Sequence, residues 1–299
     1  MSTKVSTDLI DLSSNTGGLV WAKGPTTDQP ASATAGEMRV DTTTNTTLVY
    51  NGTQWKTLKE TAFVVPPIPT HFLVIAGGGG GGGQQNSGGG GAGGFRTSYS
   101  TTGGGGSAES TINISLNTAY TITVGAGGAG ASPYNIGSNG FDSLFATVTS
   151  TGGGGGGGVG VNGASGGSGG GAAYLSSSPG VAVTTPVVQG YDGGTGVNAG
   201  ANYGSGGGGG AGGLGQNGTS SAVGNGGAGL ASSITGSSVT RASGGSGGGN
   251  SITPIATPGG GSINTSDATP NTGGGGGGAS NLPTPTSTSG KSGGSGVVI

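Results

Sequence analysis

Chemistry in this sequence has to start from very few side chains. The one histidine, His71, opens the apolar run His71-Phe72-Leu73-Val74-Ile75-Ala76, and the nearest acids along the chain are Glu60 and Glu109. A general base works within hydrogen-bond reach of its partner, so His71 reads as a strand-entry residue. Beyond residue 70 the carboxylates Glu109, Asp142, Asp192 and Asp267 each stand alone, without the close pairing that two-carboxylate hydrolysis uses. Val74-Ile75-Ala76 followed by Gly77, Gly79 and Gly82 formally matches a dinucleotide fingerprint. That motif needs a helix whose N-terminus receives the pyrophosphate, and Gln84-Gln85-Asn86-Ser87 with further glycine follows instead. Gly290-Lys291-Ser292 ends like a phosphate-binding loop, but Pro285 stands where its first glycine belongs. Asp192, in Gly190-Tyr191-Asp192-Gly193-Gly194, is one fragment of a calcium-type repeat with no second copy. The expectation is a protein that is not an enzyme, with no catalytic residue, no metal site and no cofactor.

The elements that would position any site are of two kinds. The chain has 299 residues, 81 of them glycine, with 8 basic and 10 acidic residues and no cysteine. Residues 1–60 carry 11 of the 18 charges but only 5 of the glycines. A net charge of −2 with scattered cations argues against nucleic acid, and no apolar run approaches the ~20 residues of a membrane span. The glycines run in blocks without a strict every-third period, which excludes collagen.

In residues 1–60 the segments 37–41, 46–50 and 53–58 read as strands, with Asn51-Gly52 as a hairpin signal between them. So small a unit with so few large apolar residues is marginal alone. It is expected to be a β attachment or oligomerisation module, with Trp21, Tyr50 and Trp55 as contact candidates. Residues 61–70, with Pro66, Pro67 and Pro69, read as a semi-rigid linker.

Glycine-rich sequence alone suggests a flexible coil, yet residues 71–299 carry apolar islands. Residues 111–116 and 120–124 alternate with period two and read as a hairpin across Asn117-Thr118-Ala119. Residues 72–75 and 141–148 add strands, and Gly296-Val297-Val298-Ile299 is an apolar finish. Glycine helices with three residues per turn have no internal hydrogen bonds, so their amides must bond to neighbours. Bare backbones approach closely enough to do so. The expected fold is therefore mainly β and irregular: short β-strands and a body of packed polyglycine-II helices, with essentially no α-helix.

The run 71–83, the block Gly88–Phe95, the segment Tyr120–Gly130 and the finish Gly293–Ile299 resemble the glycine-rich domain common in bacteriophage tail proteins. They are similar in kind to the distal adhesins of T-even-like phages, whose glycine motifs pack as a polyglycine-II sandwich. Gly36 to Leu58, a Gly-Glu-x-Arg strand followed by Tyr-Asn-Gly-x-x-Trp, resembles a module of phage fibre proteins. The resemblance implies a virion fibre or adhesin, outside the cell after release. Its N-terminal module would join other virion proteins, and its rigid body would display loops to a host surface protein or glycan. Those loops would come from 131–139, 172–204, 230–243 and 250–272. Tyr134, Tyr174, Tyr191, Asp192 and Tyr203 lie there as receptor-contact candidates, the other reading of each tyrosine being packing over the glycines. Fibres of this kind are commonly trimers, and a homotrimer is expected here. The competing reading is a purely structural fibre or decoration protein.

Overall fold

A computed structural model of the chain describes residues 22–58, 66–175, 178–199, 203–250, 258–262, 265–280 and 289–299. The chain divides into two compact units, Met1–Val65 and Pro66–Ile299. Among the described residues there is no α-helix, only two short 3₁₀ turns, Thr26–Asp28 and Gly103–Gly105.

The first unit is a four-stranded sheet of β1 (Ala22–Gly24), β2 (Met38–Asp41), β3 (Thr46–Tyr50) and β4 (Trp55–Thr57), in that order. β1 runs parallel to β2, and the other pairs are antiparallel. Short polar residues set both turns. Asn51 Oδ1 accepts from the amides of Thr53 and Gln54 and Gly52 takes φ +98°, so Tyr50 faces Trp55 across the hairpin. Asp41 accepts from the amides of Thr43 and Thr44 and from the Thr26 hydroxyl. The Thr26 hydroxyl does most to hold its carboxyl below the usual value; burial opposes, and the Thr44 and Thr43 amides assist.

The second unit has ten short strands among its described residues. They are β5 (Ile68–Thr70), β6 (Leu73–Ile75), β7 (Phe95–Thr97), β8 (Ile112–Ile114), β9 (Ile122–Thr123), β10 (Ser143–Phe145), β11 (Val148–Ser150), β12 (Leu230–Ser232), β13 (Val239–Arg241) and β14 (Val297–Val298). The central sheet is β14-β6-β7. Its period-two pattern divides the apolar residues between two small cores. Leu73, Ile75 and Phe95 pack with Ala92, Ala211 and Ala242, while Phe72 and Val74 pack with Phe145 and Val148.

Two expectations fail here. Residues 111–116 and 120–124 do not pair with each other: β8 pairs with β5, and β9 pairs with β10. Ile112 and Ile114 pack instead against the Phe72 core, so tertiary burial overrides the local turn. Ile68–Thr70 is accordingly a strand of the second unit and not part of a spacer. Pro69, which cannot donate to a ladder, is accommodated in this two-stranded pairing.

Leaving β6, the chain enters the glycine body, where hydrogen bonds repeat every three residues. The amides of Gly77, Gly80 and Gly83 donate to the carbonyls of Phe141, Ser138 and Asn135; those of Gly78 and Gly81 donate to Gly294 and Lys291; those of Gly79 and Gly82 donate to Gly91 and Gly88. The carbonyls of the same segment accept from Gly153 and Gly156, from Gly128 and Ala131, and from Gly276 and Ala279. Segment 77–83 is thus a three-residue-per-turn helix surrounded by six neighbours. It donates to three antiparallel ones and accepts from three parallel ones. Segments 88–94, 168–172 and 206–210 are also surrounded by six hydrogen-bonded neighbours, with parallel and antiparallel ones mixed among donors and acceptors.

Such a lattice requires missing side chains, because a Cβ on Gly79 or Gly80 would overlap the carbonyl of Gly154 or Ala129. Where alanine occurs, its methyl is directed elsewhere. Ala92 joins the core beneath β6, and along the outer segment 125–131 burial recurs every third residue, at Gly125, Gly128 and Ala131, leaving Ala126 and Ala129 exposed. The fold is mainly β and irregular, ordered by backbone more than by apolar volume.

Candidate functional site

The alternation of segment directions sorts the connections into two ends. One end holds the central sheet and the residues that feed it. At the other end, Gly82, Gly88, Gly157, Gly171, Gly206, Ser205, Gly248 and Ala279 share one hydrogen-bonded level. Among the described residues the chain turns just beyond that level at 84–87, 132–135, 159–162 and 219–222, and 173–175, 197–199 and 203 also lie beyond it. None of these reversals contains an acidic, basic or histidine residue. They are built from asparagine, glutamine, serine, threonine, proline and tyrosine with small apolar residues. Among the charged residues of the body, Arg96 and Glu109 form an ion pair beside β7 and Asp142 adjoins β10, whereas Lys291 lies close to this end, its carbonyl accepting from Gly81, one residue from the level of Gly82.

Three of the five receptor-contact candidates, Tyr134, Tyr174 and Tyr203, lie at this end, and two of them meet. Tyr174 and Tyr203 pack edge to face, with ring centroids 5.4 Å apart. Tyr174 is anchored to the reversal at 84–87, its amide donating to the Asn86 carbonyl, which also accepts from the hydroxyl of Ser205, two residues beyond Tyr203. Asn86 is buried, and its side-chain amide donates to Asn250. Gln84, Gln85 and Asn86 all take left-handed φ values, which lets the chain turn back within four residues. Tyr134 stands apart on the reversal 132–135, 55% exposed with φ 65°. Its neighbour Asn135 ties that reversal to Gly83.

The other two candidates fall in the opposite half. The Tyr191 amide donates to Gly210, next to the apolar core. Asp192 is exposed, but its Oδ1 accepts from the Ala182 amide at 2.7 Å. That contact is part of a wider pattern the sequence reading missed. Asp142 and Asn139, three residues apart, accept from Gly152 and Gly155; Asn217 accepts from Thr195, and Asp267 from Ser292. Each side-chain oxygen stands where a lattice carbonyl is absent. The isolated aspartates of the body are therefore edge acceptors, and the spacing of Asn139 and Asp142, matching the three-residue turn, is the sequence signal that marks them.

The loop boundaries also need correction. Segment 135–141 belongs to the lattice through Asn135, Ser138 and Phe141, and 172–204 contributes the lattice residues Gly180, Gly193 and Gly194. Residues 230–243 are largely the hairpin β12–β13, and of 250–272 residues 251–257, 263 and 264 lie outside the described residues. In the first unit Tyr50 and Trp55 form a cross-strand aromatic pair 5.4 Å apart, with the Arg39 guanidinium 5.9 Å from the Trp55 ring centre. Trp21 lies outside the described residues. Among the described residues, no three histidine, aspartate or glutamate side chains gather as a metal site would require.

No curated protein matches this chain. A protein-family model described as Glycine-rich domain matches residues 57–299, the span that holds the lattice, its sheet and both of its ends. By that match the chain belongs to the glycine-rich domain family.

Proposed function

We propose that the protein is a non-enzymatic adhesin of a bacteriophage fibre, attached to the virion through its first unit and contacting a host surface receptor through the end of the glycine body that carries Tyr134, Tyr174 and Tyr203. The observation that carries this reading is the gathering of short polar reversals, with Tyr134, Tyr174 and Tyr203, on one end of a backbone-bonded lattice. A receptor-binding tip needs residues that can vary without unfolding what holds them, and a lattice held by main-chain bonds supplies that independence. Tyrosine with asparagine and serine offers large contact area and adaptable hydrogen bonding at low entropic cost. Reversals without charged residues of their own suit neutral glycans or the polar loops of an outer-membrane protein.

The test is binding of the purified full chain to intact cells of a panel of bacterial strains, with Tyr174→Ala, Tyr203→Ala and Tyr134→Ala compared with Tyr191→Ala. Binding to a subset of strains, lost in the first three variants and kept in the fourth, is the expected result. Strain binding that survives all of the end-loop variants would return the protein to the purely structural reading.

A further inference from the structure

Five asparagines stand immediately before a glycine: Asn51, Asn139, Asn162, Asn217 and Asn225. Such a pair carries its own chemistry, because the unhindered glycine nitrogen can attack the side-chain carbonyl carbon of the asparagine before it. The fold decides where that attack is open. In the glycine body the amides of Gly140, Gly163 and Gly218 are committed to the carbonyls of Gly153, Ser178 and Thr195, at 2.9, 3.2 and 2.8 Å. Asn139 and Asn217 are also held through their own Oδ1 atoms, which accept from the amides of Gly155 and Thr195. Asn225 lies between Gly224 and Gly227, whose amides donate to Ser205 and Gly208, and its side-chain amide donates to Gln216.

Asn51 differs on each count. Asn51 and Gly52 are exposed, and the Gly52 amide has no acceptor among the described residues. Asn51 Oδ1 accepts from the Thr53 amide at 3.0 Å, the Gln54 amide at 2.9 Å and the Thr53 hydroxyl at 2.8 Å. The bond to the residue two positions on folds the side chain back over the Asn51–Gly52 peptide, beside the free nitrogen, and such proximity lowers the entropic part of the barrier. Charge that develops on Oδ1 during attack meets three donors already in place, as in an oxyanion hole. We propose that Asn51 is a self-modification site, converted within its own turn through a cyclic imide to aspartate and isoaspartate while the asparagines of the body persist. Solvent base takes the Gly52 N–H proton, and the nitrogen bonds to Asn51 Cγ. The bond from Cγ to Nδ2 breaks, and ammonia leaves with a proton from water. Water then opens the imide at either carbonyl, and nothing is oxidised or reduced. Opening at the main-chain carbonyl gives isoaspartate, which inserts a methylene into the chain between the paired rings of Tyr50 and Trp55. This inference does not rest on receptor binding by the glycine body.

The experiment follows the full chain at mildly alkaline pH, folded and in denaturant, by peptide mass spectrometry that resolves asparagine, aspartate and isoaspartate at all five positions. Asn51 should convert at least as fast in the folded chain as in the unfolded one. The other four should convert at least about tenfold more slowly when folded, since reaction there awaits local opening of the lattice. Thr53→Val, which deletes the hydroxyl donor and keeps both amide donors, should slow Asn51 by roughly fivefold. If that variant disturbs the turn, the folded and unfolded wild-type rates still decide. Asn51 slower in the folded chain than in the unfolded one, Asn139 and Asn217 keeping pace with it in the folded chain, or a well-folded Thr53→Val chain reacting like the wild type would each overturn the proposal.

Discussion

If the body is ordered by close backbone approach, a single methyl between two interior segments should be as damaging as a large cavity in an ordinary core. Gly90 is the most direct place to test this. A Cβ there would lie 2.8 Å from the Gly80 carbonyl oxygen, and nearer still to that of Gly79. Ordinary carbon contacts lie at about 3.5–4.0 Å, so segments 76–82 and 88–94 would have to part by roughly 1 Å. Three hydrogen bonds join them: Ala76 to Gly94 at 3.1 Å, Gly79 to Gly91 at 2.9 Å and Gly82 to Gly88 at 3.0 Å. A displacement of that size takes all three out of bonding range. At about 1 kcal/mol net each, with about 1–3 kcal/mol for overpacking, Gly90→Ala should cost on the order of 4–6 kcal/mol. That is most of the stability of a typical domain and roughly 10–20 °C in Tm. Scanning calorimetry of the full chain reads it. Two comparisons fix the interpretation. At Gly213 the nearest atoms to a Cβ are at 3.5 and 3.7 Å, so Gly213→Ala should be neutral or gain about 0.5 kcal/mol from the unfolded chain. Ala92 already carries a methyl in the same segment as Gly90, so Ala92→Gly should cost only about 1–2 kcal/mol. A Gly90→Ala protein as stable as Gly213→Ala would refute the lattice account.

Further outcomes follow from particular contacts. Amide exchange along 125–131 should show a period of three: slow at Gly128 and Ala131, which donate to Gly78 and Gly81, and fast at Ala126 and Ala129; uniform exchange would count against the three-residue turn. Asp142→Ala should cost about 1–3 kcal/mol by leaving the Gly152 amide unmet, whereas Asp142→Asn, which keeps an oxygen acceptor, should stay close to the wild type by denaturant titration. The carboxyl of Asp41 is held low in the folded state, so its contribution is complete above the ordinary carboxylate value near pH 3.8 and is lost as the pH falls through the lowered one. Exchange protection of β2 and β3 should therefore decline on acidification below about pH 4, and Asp41→Asn should abolish that part of the pH dependence.

Much of this fold is legible from composition and short patterns, but its pairings are not. The strand expectations for 37–41 and 46–50 come within a residue of β2 and β3, because Asn51 and Asp41 fix their turns locally. The alternation of 111–116 correctly marks a strand and misleads about its partner, since which strand covers Ile112 and Ile114 depends on where Phe72 and Phe145 lie. Segment 135–141 looks like a loop because asparagine, serine and phenylalanine interrupt it. Only Gly137 and Gly140, three apart, betray the helix they occupy. The candidate end is half legible for a similar reason: tyrosines between glycine blocks can be named from the sequence, but the end each block points to is set by the antiparallel order of the whole lattice. Tyr191 and Tyr203 thus look equivalent in sequence and lie toward opposite ends.

That order also explains how one chain can combine a stringent body with permissive ends. Inside the lattice the side-chain choice is close to binary, because the six-neighbour packing leaves no room for a Cβ toward a carbonyl. At the outer edges a carbonyl is missing, and a side-chain oxygen from Asn139, Asp142, Asp192, Asn217 or Asp267 takes its place. Beyond the last hydrogen-bonded level neither constraint applies, since Gly82, Gly157 and Ala279 are already satisfied before the chain turns. Changing residues 132–134 therefore leaves the interior ladder of bonds intact, while changing one interior glycine does not. Exchanging whole reversals between members of the family should accordingly cost little in Tm. Transplanting a single non-glycine residue into segment 77–83 should do the reverse.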